Sequence, residues 1–480
     1  MKRLRIFLVL TMMFILFPSE IIAQENDQRK QIQQFMDESL KEYQIPGASL
    51  AIIQEGNVIF HENWGVQSDG KSIKNDTLFT IGSISKPLTS LAIMKLVQER
   101  KINLDASIYT YLSSFKYDKE NFKNEITVRQ LLSHTSGISS YDGLKVADLK
   151  LRGKDSITKA TEMLSGVKLN SEPGKIHQYS AANYILLGRI IEEVSEISFA
   201  QYMENEIFTE IGMDNTVSDY KRAHKLGYKP GYQAWFGTPV KSDNNFDDSG
   251  APYGYIASTS SDMIKFIEFI LGKQKVIDQE YFMEYTSPQV HRKADLYYGL
   301  GWRISTEEND SYLFHGGETP DSRAELFIHP SKQYGFILLT NKNNVSEVMH
   351  TTYIKEGIRN IIEENIAPET ISVDYKLQWL TLISIFVVLF LSLLFVFHLK
   401  KQKIISLRNK IIGTLYFVVG ISIIPTLVFV FDSPWRTIYL YGSDIAMLTY
   451  CLIAICIVVS FIPFIQNYKV RIINKKRKTA

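Results

Sequence analysis

A serine and a lysine three residues apart, Ser83 and Lys86, lie in the stretch IGSISKPLTS. Their S-x-x-K spacing is the one used by enzymes that activate a serine hydroxyl with a lysine amine. The same spacing occurs at five other places in the chain, which begin at Ser68, Ser113, Ser156, Ser165 and Ser218. The spacing alone therefore carries little information, and the surrounding residues must decide which pair does chemistry.

The residues after Ser83 predict a helix that begins close to it. The stretch SKPLTSLAIMKLVQE has apolar residues at helical spacing, and Pro87 fits only in a first helical turn, where its missing N–H costs nothing. Three residues apart on one helix face, the amine of Lys86 can reach the hydroxyl of Ser83. The free N–H groups and the dipole of a helix N-terminus also favour a developing oxyanion. The other five pairs lack this setting.

The elements that must position this pair are strands near both ends of an exported region, with mostly helical sequence between them. The stretch IPGASLAIIQEGNVIFHENWG predicts two strands joined at Glu55-Gly56-Asn57, and AELFIHPSKQYGFILLTN predicts a hairpin with Pro330 and Ser331 in its turn. Helices are predicted for QQIQQFMDESLKEY and EVMHTTYIKEGIRNIIEENI. We therefore expect an α+β domain over residues 24–370, with one antiparallel sheet flanked by helices and a helical subdomain.

The first 23 residues have the layout of a signal peptide. Lys2, Arg3 and Arg5 precede an apolar run, and a cleavage point is predicted after Ala23. An uncleaved membrane anchor is the alternative. Both interpretations place the residues that follow outside the cytoplasm.

The region 376–480 is predicted to be a membrane domain. Three apolar runs, at about 379–397, 411–431 and 445–465, have the length needed to cross a bilayer as helices, and none contains Asp, Glu, Lys or Arg. Because intramembrane charges usually mark transport sites, these helices are expected to anchor or dock the protein. The loop after the first run and the tail after the third are rich in lysine and arginine, which places both in the cytoplasm and the N-terminal domain outside.

Composition excludes several function classes. A net charge of +2 argues against a dedicated nucleic-acid binder. Both cysteines, Cys451 and Cys456, lie in the last apolar run, so the exported domain has no disulfide, no thiol nucleophile and no cysteine-based zinc site. We predict no metal and no cofactor, and the sequence identifies no protein partner.

Six segments together resemble the serine β-lactamase and penicillin-binding family, in its branch of class C β-lactamases, D-alanyl-D-alanine carboxypeptidases and esterases. They are FTIGSISKPLTSLAI, ITVRQLLSHTSGI, GKIHQYSAANYILLGRIIEEVS, YIASTSSDMIKF, YYGLGWRI and FHGGETP. The resemblance spans roughly residues 30 to 365 and implies the β-lactamase/transpeptidase-like fold. It also implies a bacterial cell-membrane protein whose hydrolase domain faces outward.

The resemblance implies roles for individual residues. Ser83 would be the nucleophile, Lys86 its activating neighbour, and Tyr179 the residue that moves the proton between nucleophile and leaving group. Tyr179 would need a nearby cation such as Lys86 to act near neutral pH, because an exposed tyrosine has a pKa near 10. The backbone N–H groups of Ser83 and Glu318 would form the oxyanion hole, and His134 of LLSHTSG would stabilise a turn.

Two motifs depart from the pattern of the family. The second reads Tyr179-Ser180-Ala181, and Ala181 lacks the asparagine amide that normally binds the acyl side chain of the substrate; Asn183 comes two positions too late. The third reads His315-Gly316-Gly317 and lacks the lysine and threonine of K-T-G, which hold a substrate carboxylate.

Two acids, Glu318 and Asp321, follow the third motif, where neutral residues are common. They would repel a substrate carboxylate, with partial relief from Arg323, or they simply face solvent and cap the turn.

These departures favour a serine hydrolase that acts through an acyl-enzyme on a substrate without an adjacent free carboxylate. A D-amino-acid-specific peptidase or amidase, or an esterase, fits this description, with a cell-wall or peptide-prodrug substrate. A β-lactamase or penicillin-binding DD-carboxypeptidase is the alternative within the family. The alternative from another class is a non-catalytic binding, sensor or immunity protein on the same fold. The expected partners are a small peptide, ester or β-lactam-like substrate and, through the three C-terminal helices, the lipid bilayer.

Overall fold

The computed structural model describes residues 27–119, 122–243, 246–306, 310–369, 371–372, 375–402 and 405–478. The predicted signal peptide, 1–23, lies outside the described residues. The chain divides into two compact units. The first comprises residues up to Tyr232, Lys241–Asn343 and Glu347–Val373; the second comprises Gln233–Val240, Asn344–Ser346 and the chain from Asp374 onward. Two short segments from within the predicted hydrolase domain therefore group with the C-terminal region.

The helices and strands are numbered along the chain. Helices α1 to α16 are 27–42, Ser85–Gln98, Val128–Leu132, Ser140–Val146, Ser156–Leu164, Ala181–Ser195, Phe199–Met203, Thr209–Ile211, Tyr220–Lys225, Ser260–Ile270, Gln279–Tyr285, Val348–Glu364, Lys376–Lys400, Leu407–Val430, Trp435–Tyr441 and Ser443–Lys478. Strands β1 to β15 are Gly47–Gln54, Asn57–Gly65, Phe79–Thr80, Tyr117–Asp118, Val167–Lys168, Tyr232–Trp235, Thr238–Lys241, Ala257–Ser258, Val290–Lys293, Leu296–Tyr298, Arg303–Ser305, Tyr312–Thr319, Ser322–His329, Tyr334–Thr340 and Lys342–Asn343.

The first unit is built on an eight-stranded antiparallel sheet with the order β2-β1-β14-β13-β12-β11-β10-β9. This confirms the predicted α+β class, and both predicted hairpins are present. Glu55 and Gly56, which join β1 to β2, both have positive φ, as a tight two-residue hairpin turn requires. The strands from the two ends of the region meet directly, because β1 pairs with β14.

Both faces of this sheet are covered, so its central strands β1, β14 and β13 are buried along almost their whole length. Along β1, Leu50 and Ile52 pack into a cluster with residues of α1 and α12. Their alternate neighbours, Ala51 and Ile53, point to the opposite face, where they join the larger core that includes α2, α6 and α10. The predicted closing helix is α12, and it is confirmed.

Helix α2 runs through the larger core, and its start positions the S-x-x-K pair. A 3₁₀ turn, Gly82–Ile84, leads into the helix, which begins at Ser85. The prediction that a helix starts close to Ser83 is therefore confirmed, with Pro87 in its first turn. Residues Ser85 to Leu96 are all buried, so the helix is fixed on every side.

The second unit contains three helices that are long and apolar enough to cross a membrane, Lys376–Lys400, Leu407–Val430 and Ser443–Gln466. The three apolar runs are therefore helices of the predicted length and composition. Gly413 and Gly420 allow α14 to approach α16 closely, since a side chain at either position would crowd atoms of α16. The short helix α15, between the second and third spans, was not predicted.

Candidate active site

The structure brings Ser83 and Lys86 together. The Nζ atom of Lys86 lies 2.9 Å from the Oγ atom of Ser83, a normal hydrogen-bond distance. Nζ also donates a hydrogen bond of 2.7 Å to the carbonyl oxygen of Tyr253, which belongs to the π-helical turn Ala251–Tyr255. That turn also accepts a hydrogen bond from Thr89 of α2, so the start of the helix is held from outside.

Lys86 is almost completely buried, with only 1% of its surface exposed. Burial lowers its pKa well below the usual value for lysine, and the positive charge of Arg303 lowers it further. No carboxylate forms an ion pair with it among the described residues, and Nζ instead lies 4.7 Å from the ring centre of Tyr179. A lysine in this environment loses its proton more readily than an exposed lysine and can then accept one from a neighbouring hydroxyl.

Tyr179 lies beside this pair, but its electrostatic setting differs from the expectation. Burial raises its pKa to about 12. The guanidinium of Arg303 and, more weakly, the hydroxyl of Ser83 act to lower that pKa. Burial thus outweighs the positive charge of Arg303, and the nearby cations do not bring the pKa of Tyr179 down toward neutral pH. The phenol oxygen is buried and makes no hydrogen bond of good geometry to any described residue. Tyr179 is thus a neutral phenol with a proton to donate.

Strand β12 runs directly against the turn that carries Ser83. A Cβ atom at Gly82 would overlap the backbone nitrogen of Glu318, and one at Gly317 would overlap the carbonyl oxygen of Ile81. Gly82 also has a φ of 54°, which few other residues adopt. The two glycines therefore allow the backbone around Glu318 to approach the backbone before Ser83, where the oxyanion hole was predicted.

Hydrogen bonds fix the end of β12 in this position. The side chains of Thr80 and Thr319 share a hydrogen bond of 2.9 Å, and Ser322 donates one of 2.9 Å to the carbonyl oxygen of Thr80. Asn343 donates to the carbonyl oxygen of Thr319 at 2.6 Å. The strand is thus held on both sides.

His315 is buried on the same strand. Its Nδ1 atom lies 2.7 Å from the carbonyl oxygen of Gly316, and its Nε2 atom lies 3.4 Å from the hydroxyl of Tyr298. Burial, then the charges of Arg303 and Lys86, lower the pKa of His315 well below its usual value. It is therefore a neutral imidazole in the interior and supplies no positive charge for a substrate carboxylate. Next to it, Gly316 faces the carboxylate of Glu325, which would lie 3.1 Å from an added Cβ.

The two acids after the third motif occupy different environments. Glu318 has 45% of its side chain exposed and accepts a hydrogen bond of 2.8 Å from Arg323. Asp321 is buried, and burial raises its pKa to about 6. The interpretation that both simply face solvent is therefore wrong for Asp321, which turns inward and accepts a hydrogen bond from the backbone N–H of Gly231.

The second motif is tied to the LLSHTSG segment. Asn183 is fully buried; its amide nitrogen lies 2.9 Å from Nδ1 of His134, and its amide oxygen accepts a hydrogen bond from Ser136. It therefore does not replace the missing amide at Ala181, which is the half-buried first residue of α6. His134 has a φ of 58° just after α3, and its Nδ1 atom also accepts from the backbone N–H of Ser180. Its position in a turn agrees with the structural role expected for it.

Two arginines near Tyr179 were missed from the sequence. The guanidinium carbon of Arg303 lies 6.0 Å from the Tyr179 ring centre, and its Nε atom is buried without a hydrogen-bond partner among the described residues. The positive charge of Arg292 acts to lower the pKa of Tyr179 and of His315, and burial followed by the charge of Arg303 lowers the pKa of Arg292 itself. The sequence does show Arg303, as the arginine of YYGLGWRI, but only the pairing of β11 with β12 places Arg303 beside the third motif.

A metal centre has no support in the described ranges, where no three histidine, cysteine, aspartate or glutamate side chains are grouped so that they could hold an ion. The absence of a metal and of a cofactor stays a prediction.

Comparison with known proteins identifies the family to which the chain belongs. The family profile described as Beta-lactamase matches residues 29–358, which is more than half of the chain. The chain belongs to the β-lactamase family. Among curated proteins, the chain is 30% identical over 327 residues to Protein flp of Staphylococcus aureus strain MW2, covering 66% of this chain and 64% of that protein. The chain therefore spans just under two thirds of the length of these staphylococcal relatives. It is 24% identical over 329 residues to Penicillin-binding protein 4 of Amycolatopsis lactamdurans, covering 64% of this chain and 84% of the relative.

Solved structures show the same fold. An octameric penicillin-binding protein homologue from Pyrococcus abyssi superimposes with a TM-score of 0.61 at 24% identity, covering 69% of this chain and 76% of that chain. EstCE1, described as a hydrolase with promiscuous acyltransferase activity, gives a TM-score of 0.61 at 19% identity, covering 70% and 99%. A class C β-lactamase gives 0.60 at 19% identity, covering 71% and 98%. The predicted β-lactamase/transpeptidase-like fold is confirmed, and the chain is a member of a family of serine hydrolases.

Proposed function

We propose that this chain is a membrane-anchored serine hydrolase that acts outside the cytoplasm through an acyl-enzyme on Ser83. The observation that carries the proposal is the 2.9 Å approach of Lys86 Nζ to Ser83 Oγ, together with the burial that lowers the pKa of the lysine. A serine hydroxyl is a weak nucleophile unless an adjacent base removes its proton. A lysine kept neutral by its surroundings is such a base.

The proposed reaction proceeds in two halves. Neutral Lys86 accepts the proton of Ser83 Oγ while that oxygen attacks the acyl carbon, and the backbone N–H groups of Ser83 and Glu318 stabilise the negative oxygen. Tyr179 donates its phenol proton to the leaving group and regains one from Lys86, whose Nζ lies over its ring. Water then attacks the acyl-enzyme by the reverse sequence of proton transfers. The raised pKa of Tyr179 supports its proposed role as the acid and favours Lys86 over Tyr179 as the base.

We propose as its substrate a D-amino-acid-containing amide, peptide or ester, because its structural neighbours include the D-alanine carboxypeptidase AmpC from Burkholderia cenocepacia and EstCE1, a hydrolase with promiscuous acyltransferase activity. Ala181 lacks a side-chain amide for the acyl group, so recognition of the acyl side chain is expected to differ from the family pattern.

A DD-carboxypeptidase is the second candidate, and Arg303 favours it. The absence of a K-T-G lysine suggested a substrate without a free carboxylate, but Arg303 supplies a positive charge beside Tyr179 with an unpaired buried Nε–H. Guanidinium groups bind carboxylates with good geometry. The pair to compare is a peptide ending in D-Ala-D-Ala and its C-terminal amide. Faster hydrolysis of the peptide with the free carboxylate, lost in Arg303→Gln, supports the carboxypeptidase. Equal rates for the two peptides support the first candidate, a hydrolase whose substrate lacks a free carboxylate.

Membrane anchoring is part of the same proposal. Three helices have the required length and hydropathy, and the basic loop and tail indicate a cytoplasmic C-terminus. A protease added to intact cells is expected to remove the hydrolase domain from the outside. Protection of the domain in intact cells, with cleavage after lysis, would contradict the orientation.

The test of the activity is the intact mass of the full-length chain in detergent after exposure to a fluorophosphonate. We expect a single adduct that is absent from Ser83→Ala. The matched control is Ser113→Ala, which removes the serine of another S-x-x-K quartet and should leave the adduct unchanged. No adduct on a folded chain would favour the non-catalytic alternative, a binding or immunity protein.

A further inference from the structure

The hairpin formed by β6 and β7 ends in an unusual turn. Phe236 and Gly237, the two residues between the strands, both have positive φ, 48° and 82°. Such a turn usually carries asparagine, aspartate or glycine at its first position, and a bulky aromatic residue is uncommon there. The strain must therefore be compensated by contacts that hold Phe236 in place.

These contacts lie within the second unit. The ring of Phe236 packs edge-on against Trp379 in the first turns of α13, with ring centres 5.4 Å apart. Gln233 of the hairpin donates a hydrogen bond of 2.6 Å to the carbonyl oxygen of Leu440, just before α16. The hairpin thus packs on the N-terminal ends of two membrane helices.

A buried polar cluster fastens the hairpin to these helix ends. Asn344 donates to the carbonyl oxygen of Ala234 at 2.9 Å and to the carboxylate of Asp444, in the first turn of α16, at 3.1 Å. The same carboxylate lies 3.3 Å from the amide nitrogen of Gln378, which precedes Trp379 on α13. Asn344, Gln378 and Asp444 are each only 1% exposed. The starts of α13 and α16 are therefore at the same end of the unit, and the hairpin lies at that end.

The aromatic residues at this end have the composition of a membrane interface. Trp379 is 55% exposed, and Trp435 of α15 donates a hydrogen bond to the hydroxyl of Tyr450 on α16. Tryptophan and tyrosine collect where a bilayer meets water, because their rings are apolar and their N–H or O–H groups are polar. On the hairpin itself, Trp235 and Val240 are 40% and 42% exposed.

We propose that the β6–β7 hairpin is an interfacial anchor whose partner is the headgroup region of the outer lipid leaflet, with Trp235 and Val240 as its lipid-facing residues. The hairpin contacts the helix ends through Phe236 and Asn344. Its exposed apolar side chains therefore lie at the same depth as the helix ends. The inference rests on the proposed membrane insertion of the three helices. It adds a second lipid contact, made by a hairpin that ends at Lys241, 135 positions before α13 begins at Lys376. The hairpin itself is too short to span a bilayer.

The test uses tryptophan quenching in the full-length chain, reconstituted in vesicles of phosphatidylcholine and phosphatidylglycerol that contain lipids brominated near the headgroup end of the acyl chain. The chain has five tryptophans. In a Trp379→Phe, Trp435→Phe background the remaining indoles are Trp64, Trp235 and Trp302, and Trp302 is fully buried and cannot meet lipid. Trp235→Phe is then added to that background.

We expect the brominated lipid to quench part of the background emission and this quenched part to disappear with Trp235→Phe. Quenching of the Trp235 component by aqueous iodide but not by brominated lipid would overturn the anchor. The same measurement on the unsubstituted chain distinguishes membrane insertion of the helices from the hairpin anchor. If brominated lipid fails to quench the emission of Trp379 and Trp435 as well, membrane insertion is refuted, and the anchor with it. Quenching of those two but not of Trp235 refutes the anchor alone.

Discussion

The buried carboxyl group of Asp321 makes the stability of the hydrolase unit depend on pH, and Asp321→Asn should remove that dependence. The side chain lies in the turn between β12 and β13 and accepts a hydrogen bond from the backbone N–H of Gly231. The amide oxygen of asparagine can accept the same hydrogen bond. Burial raises the pKa of Asp321 from its ordinary 3.8 to about 6 in the folded chain.

The sign and size follow from the proton balance. Below pH 3.8 the carboxyl group is protonated in both states and costs nothing; as the pH rises, the unfolded chain ionises first, and the folded state is progressively disfavoured until about pH 6. A difference of about 2 pH units corresponds to roughly 3 kcal/mol at neutral pH. For a unit of roughly 340 residues the entropy of unfolding is about 0.7 kcal/mol per degree, so this free energy equals a Tm difference of about 4 °C.

The assay is thermal unfolding of the full-length chain in detergent from pH 4 to pH 8. We expect Asp321→Asn and the parent to differ little at pH 4 and the variant to melt about 4 °C higher at pH 7. Asp214→Asn, at an exposed carboxylate, is the matched control and should shift Tm by less than about 1 °C at every pH. A variant that melts below the parent at pH 7, or a Tm difference independent of pH, would refute the reasoning.

Three further predictions concern the site. Tyr179→Phe should still form an adduct with a fluorophosphonate but should turn over an acyl substrate roughly 10² to 10⁴ times more slowly. Burst and steady-state kinetics separate acylation from overall turnover, and unchanged turnover would contradict the role of Tyr179 as the acid. Arg303→Gln should raise KM for a carboxylate substrate by about 10- to 100-fold with little effect on its neutral amide, and equal effects on both would contradict carboxylate recognition. Gly317→Ala should lower both Tm and adduct formation because its Cβ would overlap the backbone of Ile81. Gly316→Ala approaches only the side-chain carboxylate of Glu325, at 3.1 Å, and should cost less; the reverse order would refute the proposed approach of β12.

Local signals in the sequence predicted the elements whose determinants are close together in the chain. The β1–β2 turn was indicated by Glu55 and Gly56, the start of α2 by Pro87, and the three long C-terminal helices by uninterrupted apolar runs. Ser83 and Lys86 also share one helical turn, so their approach needed no tertiary information.

The remaining features depend on contacts between distant segments. Arg303 reaches the site because β11 pairs with β12, and Asp321 is buried because Gly231, ninety positions earlier, packs over its turn. The pKa of Tyr179 could not be anticipated for the same reason: the motif indicates a neighbouring cation, but only the fold shows that the phenol oxygen is buried. The grouping of the β6–β7 hairpin with the C-terminal apolar helices likewise depends on Asn344 and Asp444, a hundred residues apart.

The central claim is that a neutral Lys86 activates Ser83, and the rate of fluorophosphonate labelling as a function of pH tests it most directly. Labelling should rise as Lys86 loses its proton and reach a plateau below pH 10.5, the ordinary pKa of lysine, because burial and Arg303 lower the pKa of this residue. Lys86→Met, which keeps the bulk of the side chain without the base, should label at least 100-fold more slowly at the plateau pH. Labelling of Lys86→Met at the parent rate, with the same pH profile, would contradict the claim.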